Sequence, residues 1–326
     1  MSLAWLKLRM WLLVSLLFSI LYGIIVGVGS FMRIGNFWFY LIASLGMMVV
    51  QYMIGPWLIG MMMRIKYVSQ SEYPDLYRMV RDLSMRAQIP MPKIAVADMA
   101  LPNAFAFGRW KSDGRVCVTR GIMGLLSENE LKAVLAHEIS HLKNRDVLTI
   151  TLLSVIPLIL YRIAFQLMWY GGDNRKAREG GGNAVLIGMA AMVFYFITNL
   201  LVLYASRIRE YFADRGAVAL GCAPSNLASA LYKLVYGSAR ADKESLRQVE
   251  GMKAFFANDP SCALSEIKEL RHLDLDKSGT IDAAELAALS SKNLKLGFGE
   301  RLLEVMSTHP NMLKRIKQLS SYNASR

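Results

Sequence analysis

The sequence predicts a mainly α-helical integral membrane protein that also carries an α+β domain with a small β-sheet. Three observations lead to this prediction: an excess of apolar residues, their concentration in long uncharged runs, and two polar stretches outside those runs. Of the 326 residues, 54% are hydrophobic and only 19% are charged. Average soluble domains contain roughly 45–50% apolar residues even when glycine is counted, so the excess indicates a lipid environment.

Two uncharged runs lie near the start of the chain, at residues 10–32 and 34–63. Each is longer than the roughly 20 residues that an α-helix needs to cross a bilayer. Only Arg33 and a short polar break separate them, so we expect a transmembrane hairpin over residues 1–63. The alternative for the first run is a cleaved signal peptide, but its apolar core is longer than the usual length of about 7–15 residues.

A second pair of apolar segments, at residues 147–169 and 183–206, predicts another membrane or membrane-associated hairpin over 147–206. The segment at 183–206 is uncharged and long enough to span. Pro157 and Arg162 interrupt the other one. An arginine near the middle of a membrane usually faces protein or water, so this segment is expected to span with a kink, or to dip into the bilayer and return.

The distribution of lysine and arginine predicts the orientation, because cytoplasmic flanks of membrane helices are enriched in both. It places the N-terminus and the segment after residue 64 on the cytoplasmic side. The net charge of +13 then fits a face near anionic lipids, and no basic and aromatic cluster suggests nucleic acid as a partner. The bias is weaker for the second pair of apolar segments, because its connecting loop also holds Arg175, Lys176 and Arg178. The basic residues on the predicted cytoplasmic flanks are Lys7, Arg9, Arg64, Lys66, Lys143, Arg145, Arg207, Arg209 and Arg215.

The polar stretches, residues 64–146 and 207–326, are expected to form one domain from two separated segments. Periodicity predicts a helix over residues 73–88 and strands over 93–97, 103–107 and 115–119, with a turn at 112–114 between the last two. Ser127 and Glu130 have the spacing of a capping box, which would start the next helix. Three distant cysteines, Cys117, Cys222 and Cys262, indicate neither a disulfide framework nor a cysteine metal site.

That next helix contains His137-Glu138-Ile139-Ser140-His141, in a chain with only four histidines. Positions i and i+4 of a helix lie on one face, so both imidazoles can bind one metal ion. Glu138 projects beside them, where it can act as a base on water activated by the metal. The pattern predicts a zinc site that still needs a third protein ligand.

Glu210 and Asp214 are candidates for completing this site. They also lie four residues apart, on the helix that continues from the last apolar segment. Glu210 as third ligand would leave one open position on zinc, and Asp214 could accept the free N–H of a ligand histidine. The competing interpretation is an exposed helix on which both carboxylates pair with neighbouring arginines, and spacing alone does not separate the two.

The sequence resembles the HtpX-type membrane zinc metalloproteases, which are related to the CAAX prenyl endopeptidases. The resemblance rests on HEISH followed by Asn144-Arg145-Asp146, on residues 209–214 (REYFAD), on 307–310 (STHP) and on 102–106 (PNAFA). It covers residues 1 to about 240 and again 300–320, nearly the whole chain. It implies a gluzincin-like α+β zinc protease domain with transmembrane helices.

The resemblance also implies roles for individual residues. It makes His137, His141 and Glu210 the ligands of one zinc ion, Glu138 the general base and Asp214 the partner of a ligand histidine. The domain would combine residues 64–146 with 207–257 and 296–326. The implied activity is endopeptidase cleavage in the quality control of damaged or misfolded membrane proteins. The implied location is a prokaryotic inner membrane, with multiple spans, lipid contacts and the active site on the cytoplasmic side.

Two further features have two interpretations each. Asn103, Ala104 and Phe105 lie on a predicted strand that could hold substrate by backbone pairing, or simply be part of the sheet. His309 could stabilise the transition state or cap a helix. Sequence reasoning leaves both pairs of alternatives open.

Residues 274–285 match the twelve-residue EF-hand loop at every position, within a predicted insertion at 258–295 that departs from the usual HtpX pattern. Calcium would be a second cofactor. The alternative is a polar loop in which two of these residues only cap the following helix, and a calcium-responsive sensor or scaffold without catalysis is the alternative function. The expected calcium ligands are Asp274, Asp276, Ser278, Thr280, Asp282 and Glu285.

Overall fold

The computed structural model describes residues 37–170, 181–240, 272–290 and 304–323, together with Glu266, Ile267, Leu270 and Gly297. The first predicted membrane segment, residues 10–32, lies outside the described residues. The chain divides into two compact units. One unit includes the described residues up to Gly55 and those from Thr151 to Val202, and the other includes Pro56 to Ile150 and the chain from Leu203 onward.

Three described helical stretches are long and apolar enough to cross a membrane: Leu45–Met62, Asp146–Phe165 and Val185–Ala219. The first lies in helix α1 (Phe37–Met62). Large apolar side chains remain exposed along these helices, among them Trp57 with 65% of its surface exposed and Leu186 with 60%. Exposed apolar surface on this scale marks contact with lipid or with another protein. The protein is therefore a membrane protein.

The interrupted segment forms two helices, α5 (Asp146–Leu153) and α6 (Val155–Tyr170). Ser154 separates them, and Pro157 lies in the first turn of α6. Proline has no N–H to donate to the preceding turn, but the first turn of a helix tolerates it because its N–H groups have no helical partner there. Arg162 is buried with 5% exposure, as expected for an arginine within an apolar segment.

A four-stranded mixed sheet forms the β part of the second unit. Its strands are β1 (Ile65–Tyr67), β2 (Lys93–Ala97), β3 (Ala104–Phe107) and β4 (Arg115–Thr119), in the spatial order β1-β2-β4-β3. β2 and β4 are parallel, and the two outer strands are antiparallel to their neighbours. The strands predicted from alternation are confirmed, and β3 lies at an edge.

Both faces of this sheet are buried, because successive side chains of a strand point to opposite sides. Ile94, Val96 and Val116 belong to the main hydrophobic core, whereas Ala95, Phe105 and Cys117 form a second cluster on the other face. Helix α2 (Pro74–Ala87) and helix α4 (Glu128–Asn144) pack against each other in the main core, and α4 also packs on β3 and β4. A short helix, α3 (Arg120–Leu125), links β4 to α4.

The remaining helices complete the core around α4. Helix α7 (Gly181–Ala219) carries the REYFAD segment, and α8 (Pro224–Ala239) packs against α4. Helices α9 (Ala283–Ser290) and α10 (Met312–Asn323) pack against each other, and both contact α8. α9 follows the EF-hand-like loop, and Ile281, Leu286 and Leu289 around it belong to the main core. The loop is thus anchored on the same core as the HExxH helix.

Candidate metal centre

The HExxH helix α4 begins with the capping box that the sequence predicts. Glu130 accepts hydrogen bonds from both the N–H and the hydroxyl of Ser127, each at 2.8 Å. Glu130 also accepts from Ser229 at 2.6 Å and pairs with Lys233 at 2.8 Å, and both partners lie on α8. The same carboxylate therefore starts α4 and fixes α4 to a neighbouring helix.

His137, His141 and Glu210 come together in the core of the second unit. The two Nε2 atoms are 3.1 Å apart. Glu210 places Oε2 3.6 Å from Nε2 of His137 and Oε1 3.5 Å from Nε2 of His141. Ligand atoms around a tetrahedral zinc ion, at bond lengths of about 2.0–2.2 Å, lie about 3.3–3.6 Å from one another. The distances from Glu210 fall in this range and the spacing of the two nitrogens is slightly shorter, so the three side chains need only a small shift to hold a zinc ion.

A carboxylate contacts the other ring nitrogen of each histidine. Asp214 Oδ1 lies 2.9 Å from Nδ1 of His137, and Asp146 Oδ2 lies 2.5 Å from Nδ1 of His141. A carboxylate at Nδ1 favours a proton there, which leaves the lone pair of Nε2 free for a metal. The exposed-helix interpretation of Glu210 and Asp214 does not describe their placement, since they are 7% and 0% exposed.

Asp146 is a site residue to which sequence reasoning gave no role. Arg145 ends α4 in a left-handed conformation with φ of 57°, and the chain turns there so that Asp146 points back towards His141. Arg209 forms an ion pair with the same carboxylate. The sequence signal that could have indicated this contact is the position of Asp146 just beyond the end of α4, five residues after His141.

Arg315 is the second site residue that sequence reasoning missed. Its guanidinium is fully buried and contacts Asp214 through two nitrogens, at 3.0 and 2.7 Å. A third nitrogen lies 3.1 Å from Glu210. Arg315 interrupts an otherwise apolar face of α10, and a charge on such a face was the signal that could have revealed it. The buried apolar residues of that face are Met312, Ile316 and Leu319.

Glu138 lies beside the histidines and contacts the edge of the sheet. Its carboxylate is 5% exposed and accepts a hydrogen bond from the N–H of Ala106 at 2.8 Å. Burial raises the pKa of Glu138, although the neighbouring imidazoles oppose the shift. A carboxylate with a raised pKa is a better proton acceptor, as a general base requires.

The two histidines differ in their affinity for protons. Burial by itself lowers the pKa of His137, but hydrogen bonds to Asp214 and Glu210 raise it to about 9. Burial, and then the charge of His137, lowers the pKa of His141. A metal ion entering this site must therefore displace a proton from His137, so metal binding weakens as the pH falls.

The predicted substrate strand lies as an edge strand beside Glu138. Asn103 faces β4: its N–H donates to Thr119 Oγ1 and its carbonyl accepts from the N–H of Thr119, both at 2.9 Å. Backbone groups alternate in direction along an antiparallel strand, so those of Ala104 and Ala106 point away from β4. The bond from Ala106 to Glu138 agrees with this direction. Phe105 pairs with Cys117 of β4 instead.

His309 lies at the centre, with Nδ1 3.6 Å from a Glu210 oxygen. This separation is longer than a hydrogen bond. The cap of α10 is formed by Asn311, whose side-chain oxygen accepts from the N–H of Leu313 at 2.9 Å. The structure therefore places His309 near Glu210, and Asn311 rather than His309 caps α10.

A second group of carboxylates lies in the EF-hand-like loop. Metal-ligand atoms of Asp274, Asp276 and Glu285 all lie within 4.8 Å of one another. Asp274 accepts from the N–H groups of Ser278 and Gly279, each at 2.9 Å, and Gly279 has φ of 80°, which favours glycine.

The alternative interpretation of the loop is also represented in the structure. Asp282 accepts from the N–H of Glu285 at 2.7 Å, and Glu285 accepts from that of Asp282 at 3.1 Å, which is a capping box at the start of α9. Glu285 also accepts from the N–H of Leu275 at 2.6 Å. Ser278 and Thr280 place their hydroxyls 2.9 Å apart. The two interpretations thus share the same side chains.

A likeness to a solved structure supports the fold. The crystal structure of Saccharomyces mikatae Ste24p matches with a TM-score of 0.52 at 15% identity, covering 96% of this chain and 67% of that one. At this identity the likeness concerns the fold alone. It agrees with a mainly helical membrane protein that carries an α+β domain with a small sheet.

The family follows from the sequence comparisons. A protein called Protease HtpX homolog from Methanothermobacter thermautotrophicus is 50% identical over 230 residues, 71% of this chain and 86% of that protein. Protease HtpX homolog 2 from Methanosarcina acetivorans is 37% identical over 252 residues, 77% and 74% of the two chains. The model of peptidase family M48 matches residues 70–323. The chain therefore belongs to peptidase family M48, as a membrane metalloprotease of the HtpX type.

Proposed function

We propose that this protein is a zinc-dependent endopeptidase whose zinc ligands are His137, His141 and Glu210. The observation that carries the proposal is the set of distances, 3.1 to 3.6 Å, among the two Nε2 atoms and the two Glu210 carboxylate oxygens. A carboxylate at Nδ1 of each histidine supports it, because metal-binding histidines usually have such a partner. Two nitrogens and one oxygen suit zinc and leave a position for substrate or water.

The residues around this site have the chemistry for peptide hydrolysis. Zinc would polarise the scissile carbonyl and lower the pKa of the attacking water. Glu138 takes a proton from that water and passes it to the leaving amine, and the N–H of Ala106 holds the carboxylate in place. Arg315 and His309 lie next to Glu210. Of these, His309 is the group that we assign to stabilising the negative charge of the transition state.

Substrate would bind to β3 as an additional strand. The backbone groups of Ala104 and the carbonyl of Ala106 point away from β4, so they are directed towards an incoming peptide, whereas the N–H of Ala106 is bonded to Glu138. A peptide series methylated on one amide nitrogen at a time tests this mode. We expect KM to rise when alternate amides are methylated, and an equal effect at every position would contradict strand addition.

The substrates that we propose are damaged or misfolded membrane proteins. Three described apolar helices place the enzyme in a membrane, and the positions of lysine and arginine support a multi-pass topology with a cytoplasmic active site. Cells that express Glu138→Gln should accumulate such membrane proteins under stress, relative to wild type. An unchanged membrane proteome would contradict the quality-control role.

Cysteine labelling tests the topology. Cysteines introduced at positions 66 and 175 should react from opposite sides of the membrane, in a background without Cys262. Cys117 provides little background because it is buried, and burial raises its pKa to about 12. Labelling of both positions from one side would exclude a full second hairpin.

Calcium is the second cofactor that we propose, bound at residues 274–285. The support is the order of the twelve residues together with the convergence of Asp274, Asp276 and Glu285. The hydroxyl of Tyr232, on α8, donates to Asp274 at 3.1 Å. α8 also packs against α4. Calcium at the loop could thus modulate the helix that carries His137 and His141.

Purified protein tests the central proposal. Wild type should contain one zinc ion per chain and cleave unfolded protein, and Glu210→Ala should lose most of the metal. Glu138→Gln should keep zinc but lower kcat by about 10²–10⁴-fold, the usual contribution of a general base. Equal cleavage by wild type and Glu138→Gln would exclude this mechanism and favour the sensor or scaffold alternative.

A further inference from the structure

Arg207 makes a set of contacts that the proposed catalytic residues do not explain. It lies on α7, and one of its terminal nitrogens, Nη1, donates to three backbone carbonyls. These belong to Glu304, Val305 and Ser307, at 2.9, 2.9 and 2.7 Å. The side chain is 8% exposed. A charged nitrogen that serves three carbonyls at these distances is a strong clamp on the chain that it contacts.

The clamped segment, residues 304–311, contains His309. Further contacts close this segment on itself. Glu304 pairs with Lys314 and accepts from the N–H of Asn311 at 3.5 Å. The N–H of His309 donates to Ser307 Oγ at 3.3 Å. The backbone of His309 therefore belongs to a short, internally bonded segment that Arg207 holds from outside.

The clamp and a proposed zinc ligand lie on the same element. Arg207 and Glu210 are three residues apart, slightly less than one turn of α7. Both side chains leave one turn of α7, so the helix fixes the spacing between the clamp and the proposed ligand. His309 Nδ1 lies 3.6 Å from the Glu210 carboxylate, on the segment that Arg207 contacts.

We propose that Arg207 is a positioning residue, which fixes the segment at 304–311 so that His309 faces the metal centre. This inference rests on the proposed peptidase function and adds a residue to it. Contact with lipid headgroups is the competing role for an arginine at the end of an apolar helix. The burial of Arg207 argues against that role, because a headgroup needs an exposed side chain.

Steady-state kinetics test the proposal with Arg207→Gln, Arg207→Lys and the control Arg215→Gln. Arg215 is an exposed arginine of the same helix. We expect kcat to fall about ten- to a hundredfold in Arg207→Gln, since a displacement of about 1 Å has such effects. KM and zinc content should remain close to wild type. Lysine can donate to the same carbonyls, so Arg207→Lys should recover a large part of kcat.

A double-mutant cycle separates positioning from general damage to the fold. If Arg207 acts through His309, then His309→Ala should lower kcat by a similar factor, and the double variant Arg207→Gln/His309→Ala should lose little more. Multiplicative losses, or an unchanged kcat in either single variant, would overturn the proposal. An Arg207→Gln variant without zinc would overturn it as well, because the residue would then support the metal site itself.

Hydrogen exchange gives a readout that does not depend on cleavage. The amides of residues 304–311 should exchange faster in Arg207→Gln than in wild type and in Arg215→Gln, while those of α4 remain protected. Unchanged exchange in this segment would refute the clamp. If wild type and Glu138→Gln cleave equally, the proposed function fails, and hydrogen exchange still decides whether Arg207 holds the segment.

Discussion

The metal centre and the EF-hand-like loop are built in opposite ways. The proposed ligands of the first come from α4 and α7, and Arg315 of α10 joins them in a buried site. The second takes all its carboxylates from twelve consecutive residues, and two of these carboxylates, Asp276 and Asp282, are exposed. In the buried site, each histidine is oriented by a carboxylate, and Arg315 balances the charge of Glu210 and Asp214.

The two regions hold their carboxylates together in different ways. In the buried centre, unpaired carboxylates would be costly because little solvent screens them, so a fixed guanidinium is part of the fold. In the loop, backbone N–H groups and water can satisfy the carboxylates of Asp274 and Glu285. We therefore expect substitutions in the centre to change stability and metal affinity strongly, and substitutions in the loop to act mainly on calcium.

The largest effect is expected from Arg315→Met. It removes the positive charge between Glu210 and Asp214 and leaves two buried carboxylates without it. The free energy of unfolding of the metal-free protein should fall by about 3–5 kcal/mol. Thermal unfolding in detergent measures it, and zinc should recover part of the loss. Arg78→Met is the matched control, because the ion pairs of Arg78 with described residues, Asp75 and Glu128, are both exposed. If Arg315→Met lowers the free energy of unfolding no more than Arg78→Met does, the buried centre does not depend on its guanidinium as we expect.

A smaller effect is expected when the carboxylate partners of the histidines are neutralised. Asp146→Asn and Asp214→Asn keep the shape of the side chains but weaken the contacts to Nδ1 of His141 and His137. Zinc affinity should fall by about 10–100-fold in each, as is usual for such partners. Competition with a chelator measures the affinity. Asp98→Asn, a change in an exposed ion pair with Arg120, should leave it unchanged.

The loop is tested by Glu285→Gln in the full-length protein. Calorimetry should show calcium binding to wild type that is weakened by about tenfold or more in the variant, because ligand charge tunes the affinity of such loops. Zinc content should not change. Absence of binding by wild type at millimolar calcium would leave only the capping box of Asp282 and Glu285.

The sequence predicted those parts of the site that are encoded locally. The spacing of His137 and His141 predicted two imidazoles that lie together on one helix face, and alternation predicted three strands of the sheet. Spacing alone could not decide the burial of Glu210, because the same pattern fits an exposed helix. That decision needs the packing of α7 against distant segments. The resemblance to HtpX-type proteases supplied what the periodicity of the chain could not.

Asp146 and Arg315 show the limit of local patterns more clearly. Asp146 reaches His141 only because Arg145 turns the chain at the end of α4. Arg315 contacts Asp214 across a separation of 101 residues in sequence, so no local spacing relates the two. An arginine within an apolar helix face predicts a buried partner but does not identify it. The fold, by contrast, follows largely from periodicity, because burial repeats along each element.

The smallest effect on stability is expected from a substitution of Glu130. This residue shares features with both regions, because its carboxylate is buried like those of the metal centre and forms a local capping box like that of the loop. Burial opposes its ionisation, but Lys233, Ser229 and Ser127 together lower its pKa below the usual value of 4.5. A depressed folded pKa stabilises the protein above the unfolded pKa, and this contribution is lost as the pH falls through the folded value. Glu130→Gln should therefore destabilise the protein by about 1 kcal/mol at pH 7. The difference from wild type should shrink as the pH falls below 4.5.

Thermal unfolding from pH 7 to acid pH measures this dependence. Glu128→Gln is the control, since Glu128 lies in the same helical turn but pairs only with the exposed Arg78 among the ion pairs of the described residues. If Glu130→Gln and Glu128→Gln show the same small, pH-independent change, the contact of Glu130 with α8 does not stabilise α4. The buried centre would then depend on Arg315 and the carboxylates around the histidines alone, and the capping box would act only as a local signal for where α4 begins.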